Sequence, residues 1–560
     1  MFMDEDRNSK IIPQDNPWHQ IPDWRPQTIP QMFEKSVEQF PNNLAIISVD
    51  GEVSFTQLAR DVHRLANALI KLGVEPGEKI GLWLPNFPEW VVCNLAIALV
   101  GGVTVSLNAR FRERETERIL KSAHIAILIT TDSFMSNRYI DIVSSLVPEA
   151  LNSIDKDIES ENFPLLRRII TVRSSCTWSL RYEDLLESES GVLSDEIYER
   201  ISLGNVQDPV DMFWTSGSTG EPKGALISHA VLENIWNYIH IYGYTESDRS
   251  VVATPLFYGT GHYWGMLTSL MCGSSMVLLR EFTPDEVLKA IEKERATTIV
   301  GSPTSFLGYV TTLRSVDFDT SSLRLAWTGG AHFPLDLAND MKNLMKIDII
   351  GQVYGMTEVA GIAIMTRPID TLEDVTSTIG YAMPGFELKL VDIETGQCIE
   401  IGIGELWIRT HMNLLSYYGM SIEESATYFP GDGWYRTGDI LERNSSGRYR
   451  FLNRLKDVIK VGGENVSCSE IEQVLVSHPN VHQAVVFGVP DLKRGEVPGA
   501  VVQVDGIATE EELNNWCKSN LAPFKIPRHY LFQSEIPLTV TGKIDRPKLK
   551  VVLYDSISIE

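Results

Sequence analysis

The stretch that decides the fold reads WTSGSTGEPKG, residues 214–224, and directly follows the apolar, strand-like residues 210–213. Its glycines allow the backbone to approach a polyphosphate closely, and its hydroxyl groups and one lysine supply donors and positive charge. The pattern therefore predicts a loop that holds a triphosphate, with these donor residues: Thr215, Ser216, Gly217, Ser218, Thr219, Gly220 and Lys223.

This loop differs from the P-loop of nucleotidases, whose GxxxxGK[ST] pattern places a lysine directly after a glycine and directly before a hydroxyl residue. Here Lys223 comes three residues after Gly220 and is followed by Gly224. The sequence therefore indicates a different class of nucleotide-binding protein.

Four further motifs follow in a fixed order: YGMTE at 354–358, YRTGD at 435–439, NRLKDVIKVGGENVSCSEIE at 453–472 and PLTVTGKIDR at 537–546. With the first loop they resemble the adenylate-forming superfamily of acyl-CoA synthetases, peptide-synthetase adenylation domains and firefly-type luciferases. The resemblance covers nearly the whole chain. It implies an enzyme, an ATP-dependent fatty or other carboxylic acid–coenzyme A ligase. Such an enzyme forms an acyl-adenylate with release of pyrophosphate, then a thioester with release of AMP.

Several motif residues also have a chemical interpretation of their own. Tyr354 offers an aromatic face to adenine, and Glu358 offers a hard oxygen ligand to the Mg²⁺ that accompanies ATP. Thr357 is suited to hold the α-phosphate, and the Asp439 carboxylate can accept hydrogen bonds from both ribose hydroxyls.

The resemblance implies more specific roles. Lys543 resembles the lysine that promotes adenylation, Lys456 lies where the family pivots, and Arg454 resembles a nucleoside contact. Gly462 and Gly463 resemble the residues that line the pantetheine tunnel of the family, and glycines suit a passage that is too narrow for side chains. The predicted catalytic residues are Thr215, Lys223, Glu358 and Lys543, and the further contacts to ATP or coenzyme A are Gly330, Gln352, Tyr354, Gly355, Met356, Thr357, Asp439, Arg454, Gly462 and Gly463.

The acyl pocket of the family begins at PLFYGTGHYWG, residues 255–265. Tyr258 stands where many relatives carry a histidine, and the segment lacks the aspartate that amino-acid-adenylating relatives pair with an α-ammonium. A buried ammonium without a partner is costly, so an α-amino acid is disfavoured, whereas aliphatic, alicyclic and aryl acids stay open. The candidate pocket residues are Trp236, Tyr258, His262, Tyr263, Trp264, Gly329, Ala331 and His332.

Short β-rich runs alternate with helix-like stretches, which predicts a layered α/β architecture. From about residue 375 the chain changes to short strands separated by glycines, which predicts a compact β region. The family fold implies a large N-terminal domain of layered sheets flanked by helices, with a small β-barrel-like subdomain and a smaller, mobile α+β C-terminal domain. We place these domains at 1–453 and 457–560, with a hinge at 454–456.

The chain has 560 residues and a formal net charge of −25, which argues against binding to nucleic acid or to an anionic membrane. Its six cysteines lack the short paired spacings of disulfide frameworks and zinc sites, so we expect a reducing cytoplasm. Residues 90–109 are apolar enough to suggest a membrane span, but Gly101 and Gly102 divide them into a predicted buried helix and a core strand.

Two other functions stay open. The acyl group could be delivered to the phosphopantetheine of a separate carrier protein, or the chain could be a binding protein that has lost catalysis. A binding protein that has lost catalysis is predicted to lack ionic residues, yet Lys223, Glu358, Asp439, Arg454 and Lys543 are all present.

Three positions depart from the family pattern without removing such a group, namely Ser218, Tyr258 and Asn453. A homodimer is also left open.

Overall fold

The structure is a computed structural model that describes Trp18 and residues 21–174, 176–216, 222–455, 458–461, 464–491, 494–504, 506, 508–538 and 544–557. Contacts between Cα atoms divide the chain into two units. The first comprises residues 1–387 and 409–435, and the second comprises residues 388–408 and 436–560.

The first unit contains a nine-stranded sheet whose central strands are parallel, because helices connect them along the chain. An antiparallel pair flanks one edge and a single antiparallel strand the other. In sheet order the strands are Tyr381–Ala382, Gly361–Met365, Ile349–Met356, Leu325–Gly329, Thr298–Gly301, Arg249–Val252, Ser275–Leu278, Leu44–Ser48 and Gly51–Ser54.

A second sheet of the first unit has eight strands, and its parallel part is extended at one edge by two antiparallel strands. In sheet order the strands are Ser416–Tyr418, Pro222–Ser228, Pro209–Ser216, Val103–Ser106, Lys79–Leu82, Ile127–Thr131, Arg168–Val172 and Leu180–Arg181. A short hairpin pairs Ser133–Phe134 with Asn137–Arg138.

Helices of the first unit begin where the sequence supplies caps. Ser54 accepts a hydrogen bond from the backbone of Gln57 at the start of one helix, and Thr28 caps another in the same way. The α-helices are Ile29–Gln39, Phe55–Lys71, Pro88–Leu99, Glu113–Ser122, Tyr139–Leu146, Tyr182–Glu187, Asp195–Leu203, Val231–Tyr242, Thr268–Cys272, Pro284–Glu294, Pro303–Leu313, Leu335–Asn343, Leu372–Ser377 and Ile422–Ala426, and Thr260–Leu267 is a π-helix.

The apolar segment near residue 100 forms a buried helix, Pro88–Leu99, and a buried strand, Val103–Ser106. Gly101 between them has a φ of 77°, which L side chains rarely adopt, so it permits the turn. Among the described residues, no helix is long and apolar enough to cross a membrane. The predicted helix and core strand are therefore confirmed.

The second unit contains two five-stranded sheets. The glycine-punctuated β region forms the first, with the order Cys398–Ile399, Glu387–Val391, Gly402–Arg409, Trp434–Arg443 and Tyr449–Arg454. In the other, Glu464–Ser467, Val458–Val461, Gly495–Val504 and Val481–Asp491 follow one another, and His529–Gln533 pairs in parallel with Gly495–Val504. The helices are Cys468–Val476, Glu510–Asn520 and Arg546–Ile557.

The predicted fold class is thus confirmed as a large α/β unit of mixed sheets and a smaller α+β unit. The contact-based units group residues 388–408 and 436–453 with the C-terminal part of the chain. The boundary at 453, the hinge at 454–456 and the mobility of the C-terminal domain stay predictions.

Candidate active site

Two predicted motifs meet at one edge of the nine-stranded sheet. Strands Leu325–Gly329 and Ile349–Met356 are parallel neighbours, with Gly329 paired to Val353. Their carboxyl ends therefore lie side by side, which brings Gly329, Gly330 and Ala331 next to the segment from Gln352 to Glu358. Ligands of open α/β sheets bind outside this carboxyl edge.

The YGMTE motif owes its shape to a tight hairpin. Strand Ile349–Met356 is followed by a short 3₁₀ turn, Thr357–Val359, and by the antiparallel strand Gly361–Met365. A Cβ atom added to Gly355 would lie 1.7 Å from the carbonyl oxygen of Gly361. Only glycine fits at position 355, so the hairpin fixes the backbone that presents Thr357 and Glu358.

The glycine-rich string also begins as a hairpin. Strands Pro209–Ser216 and Pro222–Ser228 are antiparallel, and Thr215 is paired with Lys223. The backbone register therefore holds both ends of the predicted phosphate loop together. Gly217, Ser218, Thr219 and Gly220 lie outside the described residues.

Tyr417 connects the phosphate string to the YGMTE motif. Its hydroxyl donates a 2.9 Å hydrogen bond to Oε1 of Glu358. The Lys223 ammonium lies 5.5 Å from the centre of the Tyr417 ring and 4.3 Å from that of Tyr428, to whose hydroxyl it donates a hydrogen bond of 2.7 Å. A cation and a carboxylate from separate motifs thus both contact Tyr417.

Tyr417 is itself buried, with 5% of its surface exposed. Burial raises the pKa of its phenol well above the usual range, and the charge of Glu358 and the neighbouring Tyr435 raise it further. The phenol therefore keeps its proton at neutral pH and acts as a donor to the carboxylate.

Sequence reasoning missed Tyr417. It lies on the short strand Ser416–Tyr418, which pairs with the strand that carries Lys223, so that Ala225 is opposite Tyr417. The only local signal is a pair of adjacent tyrosines in LSYYG, and such a pair is common in ordinary strands.

Three of the predicted acyl residues, His262, Tyr263 and Trp264, lie on the π-helix Thr260–Leu267, in which Gly261 to Leu267 are buried. Tyr258, just before it, is partly exposed, and its hydroxyl accepts a 2.8 Å hydrogen bond from the Asn108 amide. Trp264 packs against Tyr238 and Trp327, with ring centres 5.3 and 6.0 Å away. π-Helical turns occur frequently at functional sites.

The other candidates of the first unit are distributed as follows. Trp236 lies on helix Val231–Tyr242, donates a hydrogen bond to the carbonyl of Pro22 and packs against Trp24. Gln352 is buried on its strand. Its side-chain Oε1 has no hydrogen-bond partner within the described part of the chain. Ala331 and His332 are exposed at the sheet edge.

In the second unit, the two predicted nucleoside contacts lie side by side. Asp439 and Arg454 are directly opposite on antiparallel strands, and Arg454 Nε is 3.1 Å from Asp439 Oδ1. The carboxylate is almost fully buried, whereas the guanidinium side chain is half exposed. Lys456, Gly462, Gly463 and Lys543 lie outside the described residues.

A magnesium ion is compatible with Glu358. No group of three or more His, Cys, Asp or Glu residues suited to a metal occurs in the described ranges. Mg²⁺ beside ATP needs only one or two carboxylates, because phosphates and water complete its coordination. A single glutamate at the sheet edge meets that requirement.

Comparisons with known proteins match most of the chain. A family model described as AMP-binding enzyme matches residues 33–418, and one described as AMP-binding enzyme C-terminal domain matches residues 470–543. The mouse mitochondrial medium-chain acyl-CoA ligase ACSF2 is 31% identical over 539 residues, covering 93% of this chain and 87% of the relative. YngI of Bacillus subtilis (strain 168) is 32% identical over 533 residues, covering 93% and 96%.

Among solved structures, the anthranilate CoA ligase AuaEII in complex with anthranoyl-AMP superimposes with a TM-score of 0.82 at 28% identity. The match covers 95% of this chain and 99% of that one.

Proposed function

This chain belongs to the AMP-binding enzyme family, and we propose that it is an ATP-dependent carboxylic acid–CoA ligase that activates fatty acids of medium length. Its relatives are acyl-CoA ligases, so it is an enzyme of that group, with a carboxylic acid, ATP and coenzyme A as substrates. The preference for medium length is inferred from the medium-chain acyl-CoA ligases among the relatives.

The observation that carries the proposal is the link between Lys223 and Glu358 through Tyr417. Adenylation brings a carboxylate to the α-phosphorus of ATP, so both reactants are anions and positive charge must surround the phosphates. Lys223 supplies one such charge. When bound, Mg²⁺ supplies more charge to the departing pyrophosphate, and Glu358 is the residue that would hold it.

We propose two chemical steps. First, a carboxylate oxygen forms a bond to the α-phosphorus as the bond to the bridging oxygen of pyrophosphate breaks. Then the coenzyme A sulfur forms a bond to the acyl carbon, AMP leaves with the former carboxylate oxygen, and the thiol proton passes to the surroundings. Lys543 is the predicted cation of the first step, and Gly462 and Gly463 are the predicted lining of the thiol passage in the second.

The test is acid-dependent exchange of labelled pyrophosphate into ATP, followed by mass spectrometry of the CoA thioester, over straight-chain, alicyclic and aryl acids. We expect both signals with medium-chain acids. Lys223→Met should abolish exchange, whereas Lys289→Met, which removes an exposed lysine, should leave it intact. An enzyme that exchanges pyrophosphate with no acid of any class contradicts the proposal.

The acceptor is tested separately, by offering free coenzyme A and a phosphopantetheinylated carrier protein in parallel. We expect the acyl group to pass to free coenzyme A. Transfer to the carrier alone would favour the carrier-loading function instead.

A further inference from the structure

At the predicted acyl segment, residues 255–265, several buried polar atoms have no hydrogen-bond partner in the part of the chain that the structure describes. We call Trp90, Asn94, Asp211 and His262 the buried polar cluster; their exposed fractions are between 0 and 1%. Trp90 and Asn94 lie one turn apart on helix Pro88–Leu99, Asp211 lies on strand Pro209–Ser216, and His262 lies on the π-helix.

His262 is the most unusual member, because neither ring nitrogen has a hydrogen-bond partner within the described part of the chain. Nδ1 is 3.8 Å from Oδ2 of Asp211, which is too far for a hydrogen bond. The imidazole is enclosed by rings, with centres 5.1 Å from Trp90 and 5.9 Å from Phe213. A neutral imidazole has one donor and one acceptor to satisfy.

Two other side chains of the cluster each have a buried polar atom without a hydrogen bond to any described residue. The indole Nε1 of Trp90 and the side-chain Oδ1 of Asn94 also have no partner among the described residues. Buried polar atoms in native proteins are nearly always paired, so four such atoms on three neighbouring side chains require an explanation. Together they comprise two donors and two acceptors.

The rest of the cluster is held in place. The Asn94 amide nitrogen donates to Thr104 Oγ1 at 3.1 Å and to Asp211 Oδ1 at 3.3 Å. The Tyr263 hydroxyl donates to Asp211 Oδ2 at 3.2 Å. Because both oxygens of Asp211 already accept hydrogen bonds, Asp211 could not turn towards His262 or Trp90 without losing one of them.

The cluster adjoins the predicted substrate path. The backbone N–H of His262 donates to the carbonyl of Tyr258 at 3.0 Å, so His262 lies one helical turn below a partly exposed pocket candidate. Asp211 lies on the strand that continues into Thr215 and Ser216 of the phosphate string. From the partly exposed Tyr258 to the fully buried His262, the chain therefore leads from the predicted pocket into the cluster.

We propose that the buried polar cluster is the distal end of the acyl site and binds a hydroxyl group on the acyl chain of the substrate, with His262 as the specificity-determining residue. This inference rests on the proposed function, which it narrows to hydroxylated carboxylic acids. A hydroxyl both donates and accepts, so it suits either tautomer of His262 as well as the Trp90 donor and the Asn94 acceptor. A second carboxylate on the acyl chain is unsuitable, because none of the four cluster residues is a cation that could offset its buried charge.

The experiment compares octanoate with its positional hydroxyoctanoate isomers as substrates for thioester formation by the full chain. A site built to bond a hydroxyl strongly rejects the analogue that lacks it. We expect at least one isomer to exceed octanoate in kcat/KM by about tenfold or more. His262→Phe should reverse this order and favour octanoate, whereas the control His63→Phe should keep the wild-type order.

His262→Asn, which keeps a hydrogen-bonding side chain, should retain part of the preference and covers the case in which the phenylalanine variant does not fold. A second readout is the ring nitrogen NMR signal of His262, which should shift on addition of the preferred hydroxyoctanoate and not on addition of octanoate.

The outcomes are distinguishable. If the kcat/KM of the wild-type enzyme for octanoate equals or exceeds that for every hydroxy isomer, this inference is overturned and the proposed function still stands. The cluster then holds internal water. A hydroxyl preference that survives in a folded His262→Phe variant also overturns it. Absence of thioester with every acid class overturns both proposals.

Discussion

At the scale of single residues, Tyr417 determines how the Glu358 carboxylate is oriented. Its buried phenol donates to Glu358, and its ring faces the Lys223 ammonium. Neither contact requires the phenol to react, so Tyr417 is a positioning residue. Its contribution is to keep the side chains of two motifs in fixed places before ATP arrives.

We therefore expect Tyr417→Phe to lower kcat/KM for acid-dependent pyrophosphate exchange by roughly 10- to 100-fold, the usual cost of losing a group that orients a metal-binding carboxylate. The ring remains, so the contact with Lys223 should persist. Titration of exchange against Mg²⁺ should show a higher half-saturating concentration in the variant. Tyr198→Phe, at an exposed tyrosine, is the control, and equal values for the two variants would contradict the role.

At the scale of elements, the hairpin at Gly355 and the contact between strand Pro209–Ser216 and the π-helix position the site. Gly355→Ala would place a methyl group 1.7 Å from the Gly361 carbonyl oxygen, so the hairpin must open. We expect the variant to fold but to lose most pyrophosphate exchange, because Thr357 and Glu358 shift.

Gly204→Ala is the matched control, since its Cβ would approach nothing nearer than 3.4 Å. Circular dichroism checks the fold of both variants. Full activity in Gly355→Ala would show that the close approach does not constrain the motif.

The strand and the π-helix also carry two buried ionisable groups whose pKa values move in opposite directions. Burial raises the pKa of Asp211 to about 7 and lowers that of His262 to about 3. The stability from neutral Asp211 is complete below pH about 4 and is lost as pH rises to about 7. The stability from neutral His262 is present above pH about 6.5 and is lost as pH falls to about 3.

Between about pH 4 and 6.5 the stability from Asp211 falls as pH rises, whereas the stability from His262 increases. Replacing one residue should therefore reveal the pH dependence that is due to the other. We expect the melting temperature of Asp211→Asn, relative to wild type, to rise as pH increases over this range. That of His262→Asn, relative to wild type, should fall. Calorimetry of the first unit's transition measures both, and parallel curves would mean that these groups do not titrate as their burial requires.

At the scale of the whole molecule, the predicted chemistry draws on both units: Lys223 and Glu358 belong to the first, and Asp439, Arg454 and Lys543 to the second. If the two half-reactions use different residues of the second unit, they can be separated by mutation. We expect Lys543→Ala to reduce acid-dependent pyrophosphate exchange by several orders of magnitude.

Gly463→Leu should spare exchange and slow thioester formation, because its side chain would narrow the predicted thiol passage. Exchange and single-turnover conversion of isolated acyl-adenylate to thioester measure the two steps. Equal loss of both activities in either variant would contradict the assignment of Lys543 to adenylation and of Gly463 to thioester formation. The cytoplasmic location also stays a prediction at this scale, and the homodimer stays open.

The sequence alone determined the family, the order of the motifs and the α/β class, because phosphate binding needs glycines and hydroxyls in a contiguous string, and strands and helices follow local patterns. The sequence also named Asp439 and Arg454 as nucleoside contacts, but their ion pair is a finding of the structure. Only the tertiary structure revealed Tyr417 and the buried polar cluster. Tyr417 lies 59 residues from its partner Glu358, and Asn94 lies 117 residues from Asp211. Contacts between distant segments arise from sheet register and helix packing, which no local pattern encodes.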